Sequence, residues 1–361
     1  MPELHENFEA RFRKAGAALF DGTRTATALM HLKGVVQIVD RHGIDVVQSC
    51  SDFGDIIAGI IKYWRPNLRH VVSLVNAIPA SGTLRRTLLS AVYRRADHAI
   101  YVSEYVRREK QTHFPVLAQR HGVVIYNGTH RRTADGTFHG RLKRTALVTV
   151  GGINPHKNIP VLVEAMDILV NQRGRRDLYL YIVGDGPGRR DLETAIARRQ
   201  LRAHVSVLGY QTDIGELLGQ ADVYLHPAIN EGFGIAVAEA MRAGKPIIAA
   251  RAGALPELLV DRLSGLLVGP CDAPQWANAI LEMVQRPDLQ TALASQAQAR
   301  ADALFNVEKF ARAYDEVYEM VVSRMGNNRL TRESARPLRL TERQSLVAAA
   351  TPREQAGLFL R

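Results

Sequence analysis

The chain has 361 residues, which is enough for two ordinary domains that each bury a core. Hydrophobic residues make up 46% and charged residues 23%, a balance typical of a folded globular protein. No apolar run approaches the length of a membrane span, and the polar opening stretch lacks the apolar segment of a signal peptide. The composition therefore argues against an integral membrane protein and predicts a cytoplasmic one.

The formal net charge of +11 is distributed unevenly along the chain. Residues 1–142 carry +8, residues 143–326 carry −1, and residues 327–361 carry +4. Basic segments are attracted to membranes that contain anionic lipid. Two interpretations stay open: an anionic membrane surface as a partner, with peripheral attachment, or a solvated surface that only aids solubility.

The first part of the chain is predicted to form a parallel sheet with helices on its faces. Residues 28–42 show apolar residues at helical spacing, and Gly43 ends that helix. Strand and helix patterns then alternate, which is typical of a doubly wound α/β domain. The predicted strands are residues 44–48, 70–75, 98–102 and 123–126.

A second doubly wound domain is predicted after a polar linker at residues 129–144, which contains the turn signal Asp135-Gly136. We assign residues 1–142 to the first domain with its linker and residues 143–306 to the second domain. Ligands of such sheets bind outside the carboxyl ends of the strands, so glycines that follow the strands should share one crevice. The predicted strands are residues 146–150, 178–183, 205–208, 222–226, 247–250 and 266–268.

The last part of the chain begins with a predicted helix over residues 307–321, with Asn306 as a cap. We assign residues 307–326 to this helix. Its periodicity alone leaves open whether the helix covers the second domain or crosses back to the first. Residues 327–361 contain scattered arginines and little apolar pattern, and we predict a basic, disordered tail there.

The stretch from residue 226 to residue 257 holds the densest group of candidate site residues. Gly232 and Gly234 bracket Phe233 between a predicted strand and a predicted helix. Glycines at such a turn let the backbone approach a ligand, and the helix N-terminus favours an anion. Glu231 and Glu239 frame this turn. Either glutamate alone is typical of a solvated surface, but the pair around the glycine turn indicates a functional site.

The spacing of Glu231 and Glu239 resembles the E-x7-E signature of the family-four glycosyltransferases (glycosyl transferases group 1). These enzymes have the GT-B fold, in which two Rossmann-like domains face a cleft. The likeness covers residues 146–322 closely and residues 44–128 loosely. It implies that Glu239 binds the ribose hydroxyls of the nucleotide and Glu231 binds the transferred sugar. The backbone of Phe233 and Gly234 would lie against the sugar and phosphate.

A second resemblance concerns Lys157, which follows the first strand of the second domain after Gly151 and Gly152. A lysine at a helix N-terminus opposes the helix dipole unless an anion binds there. The placement is similar to that of the family's phosphate lysine, so we expect Glu231 and Lys157 to be the catalytic residues. The family commonly has an arginine where Gly152 stands, and its absence puts a two-cation clamp on the diphosphate in doubt.

Other short motifs are less specific. The loop Gly184-Asp185-Gly186 resembles the family's glycine loop near the nucleotide, although a plain turn explains it equally well. Gly209 and Tyr210 would border the base, largely through the backbone. Val102-Ser103-Glu104 looks like a strand-end motif of the family's first domain, and Ser103 could equally be only a helix cap.

No metal site or cofactor site is expected. The sequence has no D-x-D pair, no H-E-x-x-H and no Walker A sequence, and His226 is interpreted as structural. Cys50 and Cys271 lack ligand spacing, and we expect both to be reduced. Without a metal, the charge on the leaving diphosphate would be met by helix N-termini and by Lys157.

The resemblance implies a retaining, metal-independent hexosyltransferase with a nucleotide-sugar donor. The acceptor would be a glycan or a lipid-linked saccharide, as in polysaccharide biosynthesis, and we expect no nucleic acid partner. A sugar-nucleotide epimerase of the same fold remains an alternative. A non-catalytic nucleotide-sugar-binding subunit of a complex is another.

The first domain is predicted to be shortened. Members of the family begin with a strand and a glycine-rich loop, whereas Asp21-Gly22 has no convincing strand ahead of it. A strand–helix unit with its return strand needs about 30 residues, so we predict that the acceptor half is one unit short. We therefore expect a complete nucleotide site facing an incomplete acceptor site, and a partner chain or an upstream segment that completes it.

Overall fold

The computed structural model describes residues 18–19, 28–77, 82–130, 142, 145–211, 214–326 and 346–347. Two parallel sheets of four and six strands form the cores of two α/β domains. Apart from both sheets, a short strand β1 (Ala18–Leu19) pairs in parallel with β12 (Leu346–Val347). Among the described residues, no helix is long and apolar enough to cross a membrane.

The first domain contains a four-stranded parallel sheet in the order β2-β3-β4-β5. Ser51 caps the second helix by accepting a hydrogen bond from the Gly54 N–H at 3.1 Å. The strands are β2 (Val46–Ser49), β3 (Arg69–Leu74), β4 (His98–Tyr101) and β5 (Gly122–Val124). The helices are α1 (Ala28–His42), α2 (Asp52–Trp64), α3 (Thr83–Arg95) and α4 (Glu104–His113), followed by a 3-10 turn at Pro115–Gln119.

The second domain contains a six-stranded parallel sheet in the order β11-β10-β9-β6-β7-β8. Its strands are β6 (Thr145–Val150), β7 (Leu178–Val183), β8 (Val205–Gly209), β9 (Val223–His226), β10 (Ile247–Ala250) and β11 (Leu266–Val268). Its helices are α5 (Pro160–Asp167), α6 (Arg189–Arg198), α7 (Gly215–Gln220), α8 (Ile235–Arg242), α9 (Leu255–Leu258), α10 (Ala273–Gln285) and α11 (Pro287–Leu304), with a 3-10 turn at Pro155–Lys157 and a π-helical turn at Ile168–Gln172.

The strand order of the second sheet locates its ligand crevice. The chain runs outward from β6 to β7 and β8, and it then returns to place β9 on the other side of β6. The loops that leave β6 and β9 therefore diverge at their carboxyl ends. Such a topological switch point opens the crevice in which doubly wound sheets bind ligands.

The final helix, α12 (Val307–Gly326), packs on the first domain. Val317 and Val321 are buried against Val71 of β3 and Ile100 of β4. The Tyr314 hydroxyl lies 3.3 Å from the Ser73 Oγ. Residues 307–326 therefore complete the core of the first domain although they follow the second in sequence.

The doubly wound α/β class predicted from the sequence is confirmed. All six strands predicted in the second domain form, with bounds within a residue or two. In the first domain, β2 begins at Val46 because Ile44 lies in the turn that closes α1, with its N–H bonded to the Val39 carbonyl at 3.1 Å. The predicted linker lies outside the described residues at 131–141 and 143–144, and the predicted tail does so at 327–345 and 348–361.

Candidate active site

The two predicted catalytic residues meet at the switch point. Lys157 lies in the loop after β6, and Glu231 lies in the loop after β9. The Lys157 Nζ donates a hydrogen bond to the Glu231 Oε2 at 2.5 Å. Both side chains are largely buried, with 27% and 14% of their surfaces exposed. A cation and a carboxylate from loops 74 residues apart thus form one pair at the crevice.

Glu231 is also held by a buried relay of polar side chains from β9. The His226 Nε2 lies 2.9 Å from the Glu231 Oε2, and the His226 Nδ1 lies 3.2 Å from the Tyr224 hydroxyl. Burial lowers the pKa of His226, although its bond to Glu231 opposes this. A neutral imidazole then donates from Nε2 to the carboxylate and accepts at Nδ1 from Tyr224. His226, interpreted as structural from the sequence, is a direct partner of Glu231.

These neighbours keep Glu231 ionised. Burial alone would raise the pKa of this carboxyl group. The His226 hydrogen bond and the charge of Lys157 outweigh burial and lower the pKa to about 2. The site therefore presents a negative charge beside the Lys157 ammonium at neutral pH.

Several glycines are needed because the loops around this pair touch backbone to backbone. A Cβ on Gly184, whose φ is +138°, would lie 2.0 Å from the Gly151 carbonyl oxygen. A Cβ on Gly253, whose φ is +57°, would lie 2.5 Å from the Glu231 carbonyl oxygen. The Gly184 N–H also donates to the Gly209 carbonyl at 2.8 Å, which joins the loops after β7 and β8. Any side chain at Gly184 or Gly253 would therefore clash with the neighbouring backbone.

The other predicted donor residues lie at or just after the carboxyl ends of strands of the same sheet. A Cβ at Gly151 would lie 3.7 Å from the Lys157 side chain, and one at Gly152 would lie 3.7 Å from the Asp185 carbonyl oxygen. Gly234, with φ +103°, precedes α8, and the buried Phe233 ring packs against Phe305. Tyr210 follows β8 with its side chain exposed.

Glu239 lies in the second turn of α8 and is half-buried. The charges of Glu231 and Glu239 both act on Tyr224, whose pKa burial and these carboxylates raise well above its usual value. The two glutamates therefore approach the same buried tyrosine from different elements. Glu239 lies on the helix that follows the glycine turn, and it is partly accessible to solvent.

The turn after β9 also contacts the first domain. The Ser103 Oγ, at the start of α4, donates to the Gly232 carbonyl at 2.6 Å and accepts from the Val106 N–H at 3.1 Å. A Cβ on Gly232 would lie 2.6 Å from the Val75 carbonyl oxygen, beyond the end of β3. Ser103 is therefore a helix cap and a contact across the cleft at the same time.

Across the cleft, the first domain has its own buried carboxylate. Asp55 of α2 is 1% exposed and accepts hydrogen bonds from the Ser49 Oγ at 2.6 Å and the Tyr93 hydroxyl at 2.9 Å. The Ser49 Oγ also lies 2.8 Å from the His70 Nε2. Burial raises the pKa of Asp55 to about 6. No sequence signal marked this cluster.

No metal-binding cluster of three His, Cys, Asp or Glu side chains occurs within the part of the chain that the structure describes. Cys50 and Cys271 are free and exposed.

Comparison with known proteins identifies the family of the chain. Residues 137–300 match the family model of glycosyl transferases group 1, and residues 5–131 match that of Glycosyltransferase Family 4. The chain belongs to the family-four, group 1 glycosyltransferases. Its two facing domains have the GT-B fold, as the sequence predicted.

Individual members of the family are similar over much of the chain. An uncharacterized glycosyltransferase of Methanocaldococcus jannaschii, MJ1178, is 24% identical over 78% of this chain and 77% of its own length. The alpha-D-kanosaminyltransferase of Streptomyces kanamyceticus is 29% identical over 62% of this chain, and the match spans 61% of that enzyme. The Anabaena protein Alr3699/HepE, solved in complex with UDP, is 24% identical and superposes with a TM-score of 0.70 over 81% of this chain and 82% of its own.

Proposed function

We propose that this glycosyltransferase moves a sugar from a nucleotide-sugar donor held by the second domain to an acceptor held by the first. The observation that carries the proposal is the pair of Lys157 and Glu231 at the switch point. In the donor complex, the Lys157 ammonium would turn toward the leaving diphosphate and neutralise its growing charge. Glu231, held ionised by His226, would remain beside the sugar and orient it. Glu239 would bind the ribose.

A uridine nucleotide is the proposed donor. The support is that Alr3699/HepE, which shares the fold, was solved in complex with UDP. The test is thermal stabilisation of the purified chain by UDP-, GDP-, ADP- and dTDP-sugars, since a ligand at 100 times its dissociation constant adds about 2.7 kcal/mol. Stabilisation by another base alone would contradict the choice of uridine.

Retention of configuration and metal independence are part of the proposal. Both rest on the family resemblance, and metal independence also rests on Lys157 as the cation at the diphosphate. A transferase forms a glycosidic product with a purified acceptor. An epimerase forms an altered sugar nucleotide, and a binding subunit forms no product. The anomeric configuration of the product tests retention.

A basic and apolar face of the first domain supports a lipid-linked acceptor at an anionic membrane. Helix α3 has four arginines and no acidic residue. Leu84 and Leu88 are 75% and 45% exposed and share a helix face with Arg95. Arg95 lies 5.3 Å above the ring of Tyr63, which is exposed beside Trp64 at the end of α2. Exposed leucines, aromatic rings and arginines together favour a lipid interface.

Vesicle co-sedimentation tests this membrane proposal. Binding should rise with anionic lipid and collapse in high salt. Replacement of Arg94 and Arg95 by glutamine should weaken binding by about 1 kcal/mol per arginine. The matched control replaces the exposed Arg198 and Arg202 of the second domain by glutamine and should bind as wild type. Binding that ignores lipid charge and salt would end the proposal.

An edge of the first sheet supports the partner chain expected from the sequence. Among the described residues, β2 pairs only with β3, so its outer edge carries unpaired backbone groups. We propose that a further strand adds to this edge and completes the acceptor side. Sugar transfer by the purified chain should then be slow. It should become faster when the chain is co-expressed with the proteins encoded by neighbouring genes. Full activity of the chain alone would contradict this.

A further inference from the structure

A carboxylate of the second domain binds the first domain directly. Glu257, in α9, accepts the Glu104 N–H at Oε2 over 2.8 Å and the Tyr105 N–H at Oε1 over 2.5 Å. The Tyr126 hydroxyl donates to the same Oε2 at 3.2 Å. Three donors of the first domain thus converge on one side chain more than 130 residues away in sequence.

The chemistry of this contact is favourable from both sides. The N–H groups of Glu104 and Tyr105 belong to the first turn of α4, where a helix has no internal acceptors and its dipole is positive. Glu257 is fixed from behind because the Arg300 guanidinium donates to the backbone carbonyls of Glu257 and Leu258, both at 2.8 Å. The backbone that carries the Glu257 carboxylate is therefore anchored opposite the helix end.

The same end of α4 is joined to the catalytic turn. Ser103 caps the helix and donates to the Gly232 carbonyl, one residue after Glu231. The Tyr126 ring lies 6.0 Å from the Phe233 ring in that turn. Glu257 and the turn after β9 thus grip one helix end, so a shift of α4 would move the wall of the sugar site.

We infer that Glu257 is a positioning residue that holds the first domain closed over the donor sugar. This inference rests on the proposed function for its consequence. In the closed arrangement water is kept from the anomeric carbon. When the grip is lost, a water oxygen bonds to that carbon in place of the acceptor oxygen. The bond to the diphosphate breaks, the nucleoside diphosphate leaves, and the water gives up a proton.

Glu257→Gln tests the inference with little change of shape. The glutamine amide directs N–H groups at the N–H groups of α4, so two charge-assisted bonds cannot both form. The ratio of transfer to donor hydrolysis should fall about tenfold to a hundredfold, while the dissociation constant of UDP stays within about twofold. Tyr126→Phe should have a smaller effect. The control is Glu308→Gln, an exposed glutamate in the first turn of α12, which should match wild type.

A structural readout separates this inference from the proposed function. Cys50 of the first domain and Cys271 of the second are the chain's only cysteines, and both are exposed. Spin labels on them report the distance between the domains without any substitution. With UDP bound, wild type and Glu308→Gln should show one short, narrow distance distribution, and Glu257→Gln should show a longer, broader one.

If Glu257→Gln keeps the narrow distribution, Glu257 does not hold the domains and the inference is wrong. If UDP affinity falls as far as transfer does, Glu257 belongs to the donor site instead. A wild-type chain without transferase activity would sink the proposed function, and the label distances would still decide whether Glu257 controls closure.

Discussion

The two domains each bury a carboxylate at the carboxyl end of their sheet, and the two differ in charge state. Glu231 in the second domain has a pKa of about 2, and Asp55 in the first has a pKa of about 6. Each is bonded within a cluster that contains a histidine and a tyrosine. The difference lies in the partners: the His226 imidazole bonds to Glu231 and the Lys157 ammonium touches it at 2.5 Å, whereas hydroxyl groups bind Asp55.

This difference shows what a buried carboxylate needs in order to stay ionised. Hydroxyl donors only partly offset the cost of burying charge, whereas a hydrogen bond from an imidazole together with a contacting ammonium outweighs it. In the ligand-free site, the ion pair with Glu231 keeps the Lys157 ammonium at the crevice.

Removal of the cation should have the largest effect. Lys157→Ala would leave Glu231 with the His226 hydrogen bond alone and would leave the diphosphate without its lysine. We expect turnover to fall about a hundredfold to a thousandfold, as when a charge-stabilising donor is deleted elsewhere, and the acid limb of the pH–rate profile to move to higher pH. Lys33→Ala, an exposed change on α1, serves as the control. Unchanged turnover in Lys157→Ala would refute the role of the cation.

Opposite pH dependences of stability are the second expectation. The Asp55 pKa is raised from 3.8, so its stabilising contribution is full below pH 3.8 and is lost as pH rises through about 6. The Glu231 pKa is lowered from 4.5, so its contribution is present above pH 4.5 and is lost as pH falls toward 2. Each amounts to about 3 kcal/mol.

Urea unfolding at several pH values measures both contributions. Relative to wild type, Asp55→Asn should gain unfolding free energy as pH rises from 4 to 7. Glu231→Gln should instead be the less stable protein at neutral pH, and that deficit should shrink in acid. Slopes of the same sign in the two variants would show that the charge states do not differ as described.

A third carboxylate, that of Glu239, is expected to act on nucleotide binding rather than on turnover. Glu239 is half-buried and is proposed to bind ribose rather than sugar. Glu239→Ala should lose about 1.5–3 kcal/mol of nucleotide affinity, as charged hydrogen bonds typically do. Glu231→Ala should cut turnover more than affinity. Calorimetric titration with UDP checks both, and wild-type affinity in Glu239→Ala would overturn the donor assignment.

The smallest expected effect is that of chelation. If Lys157 supplies the positive charge at the diphosphate, EDTA should leave the turnover of wild type unchanged. The assay compares initial rates before and after chelation. Loss of activity that manganese restores would show that a metal shares this task.

Much of this fold could be predicted because its signals are local. Apolar runs mark the strands, and glycines at strand ends mark the crevice. The spacing of Glu231 and Glu239 around two glycines located the site, and a lysine at a helix start located Lys157. The destination of α12 could not be read, since an apolar stripe shows that a helix is covered but not by which domain.

Contacts between the domains were beyond the sequence for the same reason. Glu257 contacts Glu104 and Tyr126, and Ser103 contacts Gly232, across separations of 129 to 153 residues, and no periodicity encodes such pairs. The cluster around Asp55 also went unnoticed, because a lone aspartate near the start of a helix is ordinary. The sequence did not show that His226 bonds to Glu231, because that contact depends on how β9 is placed beside β6.

The return of α12 to the first domain sets an order for synthesis of the chain. Val71, Ile100 and Ile125 are covered by Val317 and Val321, which the ribosome adds only after the second domain. The first domain to emerge is therefore the last to finish its core, and it must wait, with apolar surface open, until the second domain has been made. During that interval a nascent chain is exposed to aggregation and depends on chaperones.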